Sequence, residues 1–433
     1  MKDDSRKIEK GDTYISLTNN KEYIKEAIEK GAQKVIVEEG NYEIETQIVK
    51  NTRNYLIKYL DNKYKNKFKK IKIIGITGTN GKTTSCYLLW QILNKLNIKC
   101  AYIGTIGFYM DKKITNLNNT TPDILDIYTM INKCIDNNYK YIVMEVSSQA
   151  LDMNRLGKLK FDYAVFTNLT QDHLDYHKTI NNYIKAKQIL FKHTKNAVIN
   201  IDDKYSKEFL LNNKNYTFGY NNSNYVISNY KINKYTSFNL NNKKYKTNIL
   251  GKYNINNLVI SLIILDLEKL KLNKTILTKL SYPPGRLELV EKNTNKIFID
   301  YAHTPDGVEK VINTIKELKH NRIITIIGCG GNRDITKRPK MGLIASSLSD
   351  YVIFTSDNPR NEKPELIIKD MIQNIDTSNY EIEINRKNAI TKGIQMLEKN
   401  DILLLLGKGH EDYQIIGNTK YHFSDIEIVK NSI

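Results

Sequence analysis

Cysteine is scarce: the 433 residues hold four, Cys86, Cys100, Cys134 and Cys329, and no two form a CxxC pair. That spacing excludes a cysteine-paired zinc site and a disulfide framework, and leaves reduced core thiols. No apolar run reaches the roughly 18 residues that a membrane-crossing helix needs, so no membrane partner is expected. The start, MKDDSRKIEKGD, is charged where a secretory leader would be apolar, and the expectation is a cytoplasmic protein. Arginine is also scarce, so the net charge of +19 is carried by lysine, mixed with Asn, Ile and Tyr in segments such as NNKKYKTN. With no recognisable binding module, this reads as a solvated lysine-rich surface, and no nucleic-acid partner is expected.

Apolar residues make up 40% of the chain, enough for substantial cores in two to four units. The first 70 residues alternate strand-like and helical patterns: DTYISL, the helical NKEYIKEAIEKG ending at Gly31, then KVIVEE. DNKYKNKFKK, residues 61–70, reads as a polar linker. From Ile71 the pattern becomes strand, glycine turn and helix in IKIIGITGTNGKTTSCYLLWQILNKL, followed by KYIVMEVSSQ and YAVFTNLT. SYPPGR, residues 281–286, is the clearest break, because two prolines and a glycine cannot continue a helix. A second alternating pattern follows. The fold class is therefore α/β with mainly parallel sheets, divided into residues 1–69, 70–281 and 282–433.

GITGTNGKTT follows a buried strand and precedes an apolar helix, the setting in which backbone N–H groups meet phosphate oxygens at a helix N-terminus. Gly78 and Gly81 give G-x-x-G-K-T rather than the longer phosphate-loop pattern, with Lys82 placed for terminal phosphates and Thr83 or Thr84 for Mg²⁺. Glu145 ends the apolar strand KYIVM, at the carboxyl edge where open α/β sheets bind ligands. In TINNYIKAKQILF, Lys187 is the one charge on the face formed by Ile180, Tyr183, Ile184, Leu190 and Phe191. It can snorkel past that stripe, or its desolvated amine can take up CO₂ and become an anionic metal ligand. His173 and His177 lie i, i+4 apart, a spacing that suits a metal but also a core or capping role.

TGTNGKTT, NNTTPD, MEVSSQALDMNR, FTNLTQDHLDYH, YIKAKQILF, LGKYNINNLVIS, PPGRLE, IDYAHTPD, GCGGNRD, DNPR and GKGHEDYQ, in this order, resemble the Mur ligase family of ATP-dependent amide ligases of peptidoglycan synthesis. The resemblance implies a small N-terminal UDP-binding unit, a central ATPase unit with a phosphate loop and a Rossmann-like C-terminal unit. It implies that Gly78, Thr79, Asn80, Gly81, Lys82, Thr83 and Thr84 hold the ATP phosphates. Thr84 and Glu145 are then Mg²⁺ ligands, and His173 with carbamylated Lys187 forms a second Mg²⁺ site. Asn254, Asn257, Arg286, Asp300 and His303 would place the nucleotide. Ser5, Asn119, Thr120, Thr121, Ser147 and Arg155 would grip UDP-MurNAc-dipeptide. Ser5 belongs to DDSRKIEKGD, in a unit whose usual glycine-containing loop is reduced to LTNNKEY.

The resemblance also implies that Arg333, Asp357, Asn358, Pro359, Arg360, Gly407 and Glu411 receive the incoming amino acid. Within the family the likeness is to the branch that adds meso-diaminopimelate, whose second ammonium-carboxylate centre suits the fork of Arg360 and the acid of Glu411. A monomer acting on small molecules is implied. A lysine-adding or other Mur-type ligase, and a non-catalytic Mur-like binding protein, are the alternatives.

Overall fold

A computed structural model describes residues 1–212, 214–233 and 235–432; Asn213, Lys234 and Ile433 lie outside the described residues. Three parallel strands, Thr13–Ile15, Lys34–Val37 and Glu45–Ile48, form the first sheet. Its alternating side chains serve two cores. Tyr14, Val35 and Val37 pack with Ile24 and Ala27 of the helix Lys21–Glu29, whereas Ile15 and Ile36 join the core of the next unit. The stretch read as a linker, 61–70, is instead largely the end of the helix Thr52–Phe68. Its charges hide Tyr64 and Phe68 at i, i+4 spacing; these stack at 5.5 Å, and Phe68 meets Tyr128 at 4.9 Å.

The central sheet has eleven strands, with Lys72–Thr77 between Tyr141–Glu145 and Phe161–Phe166. The pairings across the middle, from Tyr225–Ile232 through Cys100–Gly104, are parallel, and the ribbons at both edges are antiparallel. The innermost of these, Cys100–Gly104, Tyr141–Glu145, Lys72–Thr77 and Phe161–Phe166, are buried almost throughout, as strands covered on both faces must be. Helices Lys82–Lys95 and Lys252–Leu267 cover one face, and Ile124–Asp136 and Ile180–Lys192 the other. Lysine on the edge strand Lys243–Thr247 discourages pairing with another chain, which gives part of the basic surface a structural use. The connection after Lys72–Thr77 runs to one side of it and the connection after Tyr141–Glu145 crosses to the other, and ligands of open α/β sheets bind at such a reversal.

The last large sheet has six strands, five of them parallel, with Ile402–Leu406 between Asn295–Asp300 and Ile323–Ile327. The ends of these strands and the loops after them carry Asp300, Arg333, Asp357 and Gly407 to one edge. Beneath them Arg386 and Asp425, both fully buried, pair through two bonds of 2.8 and 2.6 Å, and Arg386 also donates to Leu406 O at 3.0 Å. Asp425→Ala would strand that guanidinium and should cost about 3–5 kcal/mol of stability, read from the denaturant midpoint. A loss below about 1 kcal/mol, the scale of a surface pair, would contradict this account. No described helix is long and apolar enough to cross a membrane.

Candidate functional site

The strand Lys72–Thr77 turns at Gly78, where φ is +153° and a Cβ would collide with Thr167 Oγ1, so glycine is required. Thr79 N donates to Asn168 O at 2.9 Å and Asn80 N to Asn168 Oδ1 at 3.0 Å, pinning the loop to the neighbouring strand's exit. Helix Lys82–Lys95 then starts at left-handed Gly81, leaving its first amides uncapped by any side chain. Lys82 folds back, its Nζ donating to Gly78 O and Thr79 O, both at 2.9 Å, and burial lowers its pKa. Glu145 is fully buried and accepts from Thr83 Oγ1 at 2.9 Å, Thr105 N at 2.9 Å, Thr105 Oγ1 at 3.1 Å and the Tyr102 hydroxyl. Among the described residues no lysine or arginine forms an ion pair with it. A buried carboxylate beside a hydroxyl, with no ammonium or guanidinium in contact, fits a hard divalent ion.

Lys187 is 1% exposed. Its Nζ donates to the same Gly78 O at 2.9 Å and lies 4.5 Å from the Tyr183 ring centre. Burial, then the nearby Lys82 charge, hold its pKa well below the ordinary value, so the amine is disposed to be neutral and nucleophilic. His173 opens a short helix with φ +54°, its Nε2 3.3 Å from Asp172 Oδ2, and burial brings its pKa down to about 4. Burial pushes the Asp172 carboxyl up, but the charges of His173, His303 and Lys337 outweigh it and leave it at about 2. His177 plays a structural part instead, its Nε2 pairing with Ser148 Oγ at 2.9 Å in the core.

Between the helices Lys252–Leu267 and Pro305–Lys316 lies a cavity of about 550 Å³, lined by Asn80, Gly81, Tyr253, Asn257, Asp306 and Lys310. A smaller recess beside it brings Thr84 together with Asn254, Asn257, Arg286 and Asp300. Asn257 donates to Asn254 Oδ1 at 3.1 Å and accepts from Ser85 Oγ at 3.2 Å. Arg286 lies 4.7 Å above the Tyr301 ring, and its Nε is buried without a partner. Asp300 accepts from Leu287 N and Ala302 N, both at 2.8 Å, while His303 Nδ1 meets Tyr301 O at 2.8 Å. Asn80 donates to Asp306 at 2.8 Å across the cleft.

Beside Glu145, Thr121 Oγ1 donates to Glu145 O at 2.9 Å and accepts from Ser147 N at 2.9 Å, and Arg155 Nη1 donates to Thr121 O at 3.3 Å. Thr120 joins through Thr105 at 3.0 Å, and Asn119 is exposed next to it. Ser5 is buried in the first unit, its hydroxyl given to Glu26 at 2.5 Å. At the C-terminal sheet edge, Arg360 adopts φ +52° and its Nη1 donates to Gly331 O at 2.8 Å. Arg333 is exposed nearby, and a Cβ on Gly407 would crowd Asp357 at 2.6 Å. Asn358 Nδ2 donates to Glu411 Oε2 at 2.8 Å, and burial followed by the Asp357 charge raises the Glu411 pKa.

Comparison with known proteins agrees with this arrangement. The Mur ligase middle domain matches residues 76–265, and the Mur ligase glutamate ligase domain residues 285–409. A UDP-N-acetylmuramoyl-L-alanyl-D-glutamate–2,6-diaminopimelate ligase of Clostridium botulinum is 41% identical over 99% of this chain and 94% of its own. The chain belongs to the Mur ligase family. A relative of the same name in Fusobacterium nucleatum is 39% identical over 99% of this chain and 93% of its own. A solved structure of such a ligase superposes with a TM-score of 0.68 at 31% identity, covering 100% of this chain and 94% of that one. MurF ligase from Thermotoga maritima in complex with ADP shares the fold, with a TM-score of 0.70 at 18% identity over 94% and 93% of the two chains.

This Mur ligase brings most of its motif residues to facing strand ends, with two differences of detail. The hydroxyl beside Glu145 belongs to Thr83, while Thr84 faces the nucleotide recess. Lys408 and Asp172, not singled out from sequence, are buried among site residues. For Lys408 a signal existed: it is the lone charge directly after the apolar run ILLLLG.

Proposed function

We propose that this ATP-dependent amide ligase joins meso-diaminopimelate to the D-glutamyl carboxylate of UDP-MurNAc-L-Ala-D-Glu. Arg360 carries the assignment of the amino acid. Its Nη1 is held by Gly331 O, and among the described residues nothing accepts from Nε or Nη2, so one edge of the fork remains for a carboxylate. Lysine has no carboxylate at its far end. The relatives named for 2,6-diaminopimelate support the same reading.

In the proposed course, a glutamyl oxygen attacks the γ-phosphorus of ATP, the bond to the β–γ bridging oxygen breaks, and ADP leaves an acyl phosphate. The amino acid's amine then attacks the acyl carbon; phosphate departs and the nitrogen gives up a proton. Lys82 offsets the repulsion between carboxylate and triphosphate, whose arriving charge favours its protonated form. Asn254, Asn257, Arg286, Asp300 and His303 line the nucleotide end, with Arg286's free Nε available to an incoming polar group. Thr83 with Glu145, and His173 with a carbamate formed when the Lys187 nitrogen bonds CO₂ and releases a proton, are the groups that would hold Mg²⁺. What Mg²⁺ supplies when bound is charge screening between the two anions. Closure about residues 281–286, where Gly285 abuts the His410 backbone, would exclude water from the acyl phosphate.

The test is phosphate release and tripeptide formation from ATP and UDP-MurNAc-L-Ala-D-Glu with meso-diaminopimelate, with L-lysine, and without amino acid. Product with diaminopimelate alone is expected; equal turnover of lysine, or none with either in bicarbonate buffer, would refute the proposal.

A further inference from the structure

Lys408 has no exposed surface. Burying an ammonium is costly unless it is paired and hydrogen-bonded. Its Nζ reaches two acceptors, Asn358 Oδ1 and Glu411 Oε2, each at 3.2 Å, with the Tyr413 and Phe423 rings 5.6 and 5.8 Å away. Both acceptors belong to the amino-acid end of the site. Asn358 is itself fixed by Ile415 N at 3.0 Å, so the amide and the ammonium together hold one carboxylate oxygen, Oε2, from two sides. Among the described residues the other oxygen, Oε1, has two long contacts of 3.4 Å, from the hydroxyls of Tyr301 and Tyr413.

We infer that Lys408 is a positioning residue that anchors Glu411 through Oε2 and presents Oε1 to the ammonium of the incoming amino acid. This rests on the reading of that end as a zwitterion site, and it deepens it through charge. Arg360 and Lys408 carry two positive charges, and Asp357 and Glu411 two negative ones. The neighbouring Arg386–Asp425 pair is neutral in itself, and Arg333, although solvent-exposed, adds a further positive charge that reaches Arg360. A centre bearing one ammonium and one carboxylate leaves that balance unchanged, whereas an ammonium alone adds an uncompensated charge. Lys408 thus selects the zwitterionic end without touching it.

The experiment is a kinetic cycle on the full-length ligase with Lys408→Met, Glu411→Gln and the double variant, all three substrates varied in turn. K408M is expected to raise KM for diaminopimelate by about tenfold or more, with KM for ATP and for the UDP-dipeptide within about twofold. In the E411Q background the same change should add less than about threefold, because the carboxylate it anchors is gone. Equal losses toward all three substrates, an unshifted KM for diaminopimelate, or independent effects in the cycle would overturn the role. If K408M does not fold, K408Q, which keeps a donor toward Glu411, is run against the same criteria with a smaller expected shift. Wild type in parallel separates the two claims: no diaminopimelate turnover overturns the zwitterion-site reading, and an active wild type beside an unaffected variant overturns Lys408 alone.

Discussion

Lys187→Met is expected to lower kcat by about 10²- to 10³-fold while making the folded protein more stable in CO₂-free buffer. The loss follows from the site: a methionine cannot form the carbamate whose anionic oxygen, beside the His173 nitrogen, would hold Mg²⁺ near the phosphate loop. Bicarbonate should therefore restore CO₂-stripped wild type and leave K187M unchanged. The gain follows from burial. The folded-state pKa of Lys187 lies well below the unfolded one, chiefly through desolvation and next through Lys82. Between those two values the unfolded chain binds more protons, so wild-type stability falls as pH is lowered through that window. Methionine has similar reach and no proton to bind, so its Tm advantage should widen toward acid. A variant retaining more than a tenth of wild-type turnover would remove Lys187 from the mechanism. A Tm below that of wild type at every pH would show that the amine's bond to Gly78 O outweighs its desolvation.

Much of this site was legible because its chemistry is local in sequence. A glycine loop between a buried strand and an apolar helix states its conformation in consecutive residues, and Gly78 and Gly81 take the positive φ angles such a turn demands. Lys187 was legible through periodicity: helical spacing put it on the apolar face, and the structure buries it there. Thr83 and Thr84 were not separable, because the choice depends on which strand lies beside the loop, and the order of strands is a long-range property. His173 and His177 share a spacing, but His173 meets Asp172 whereas His177 meets Ser148, which comes from a different helix. The helix end within 61–70 was obscured by composition, its two aromatic residues outnumbered by charges. Lys408 carried a competing signal: it follows the apolar run ILLLLG, but a lysine between two glycines also reads as an exposed turn until the hairpin Tyr413–Ile416 and Thr419–His422 and the loop bearing Asn358 are placed around it.

Arg360→Ala should lower kcat/KM for diaminopimelate by about 10²- to 10³-fold and narrow its preference over lysine by a similar factor. The two effects have one origin. With diaminopimelate, the lost fork removes charge-assisted bonds to the far carboxylate. With lysine, wild type must leave a half-buried guanidinium without an anion, and the alanine variant need not. The backbone argues that the arginine is held for this purpose. Arg360 occupies the left-handed region, which is strained for a side-chain-bearing residue, and its N–H and C=O are tied to Ile415 and Gly417 at 3.0 and 2.8 Å. Those bonds survive the substitution, so the loop should persist and the thermal midpoint should move little. Arg360→Lys is the sharper comparison, since it keeps the charge and loses the planar fork. If bidentate geometry discriminates, the lysine variant should lie closer to alanine than to wild type. If it matches wild type, a positive charge at that position suffices, and the preference for diaminopimelate rests on electrostatic balance alone.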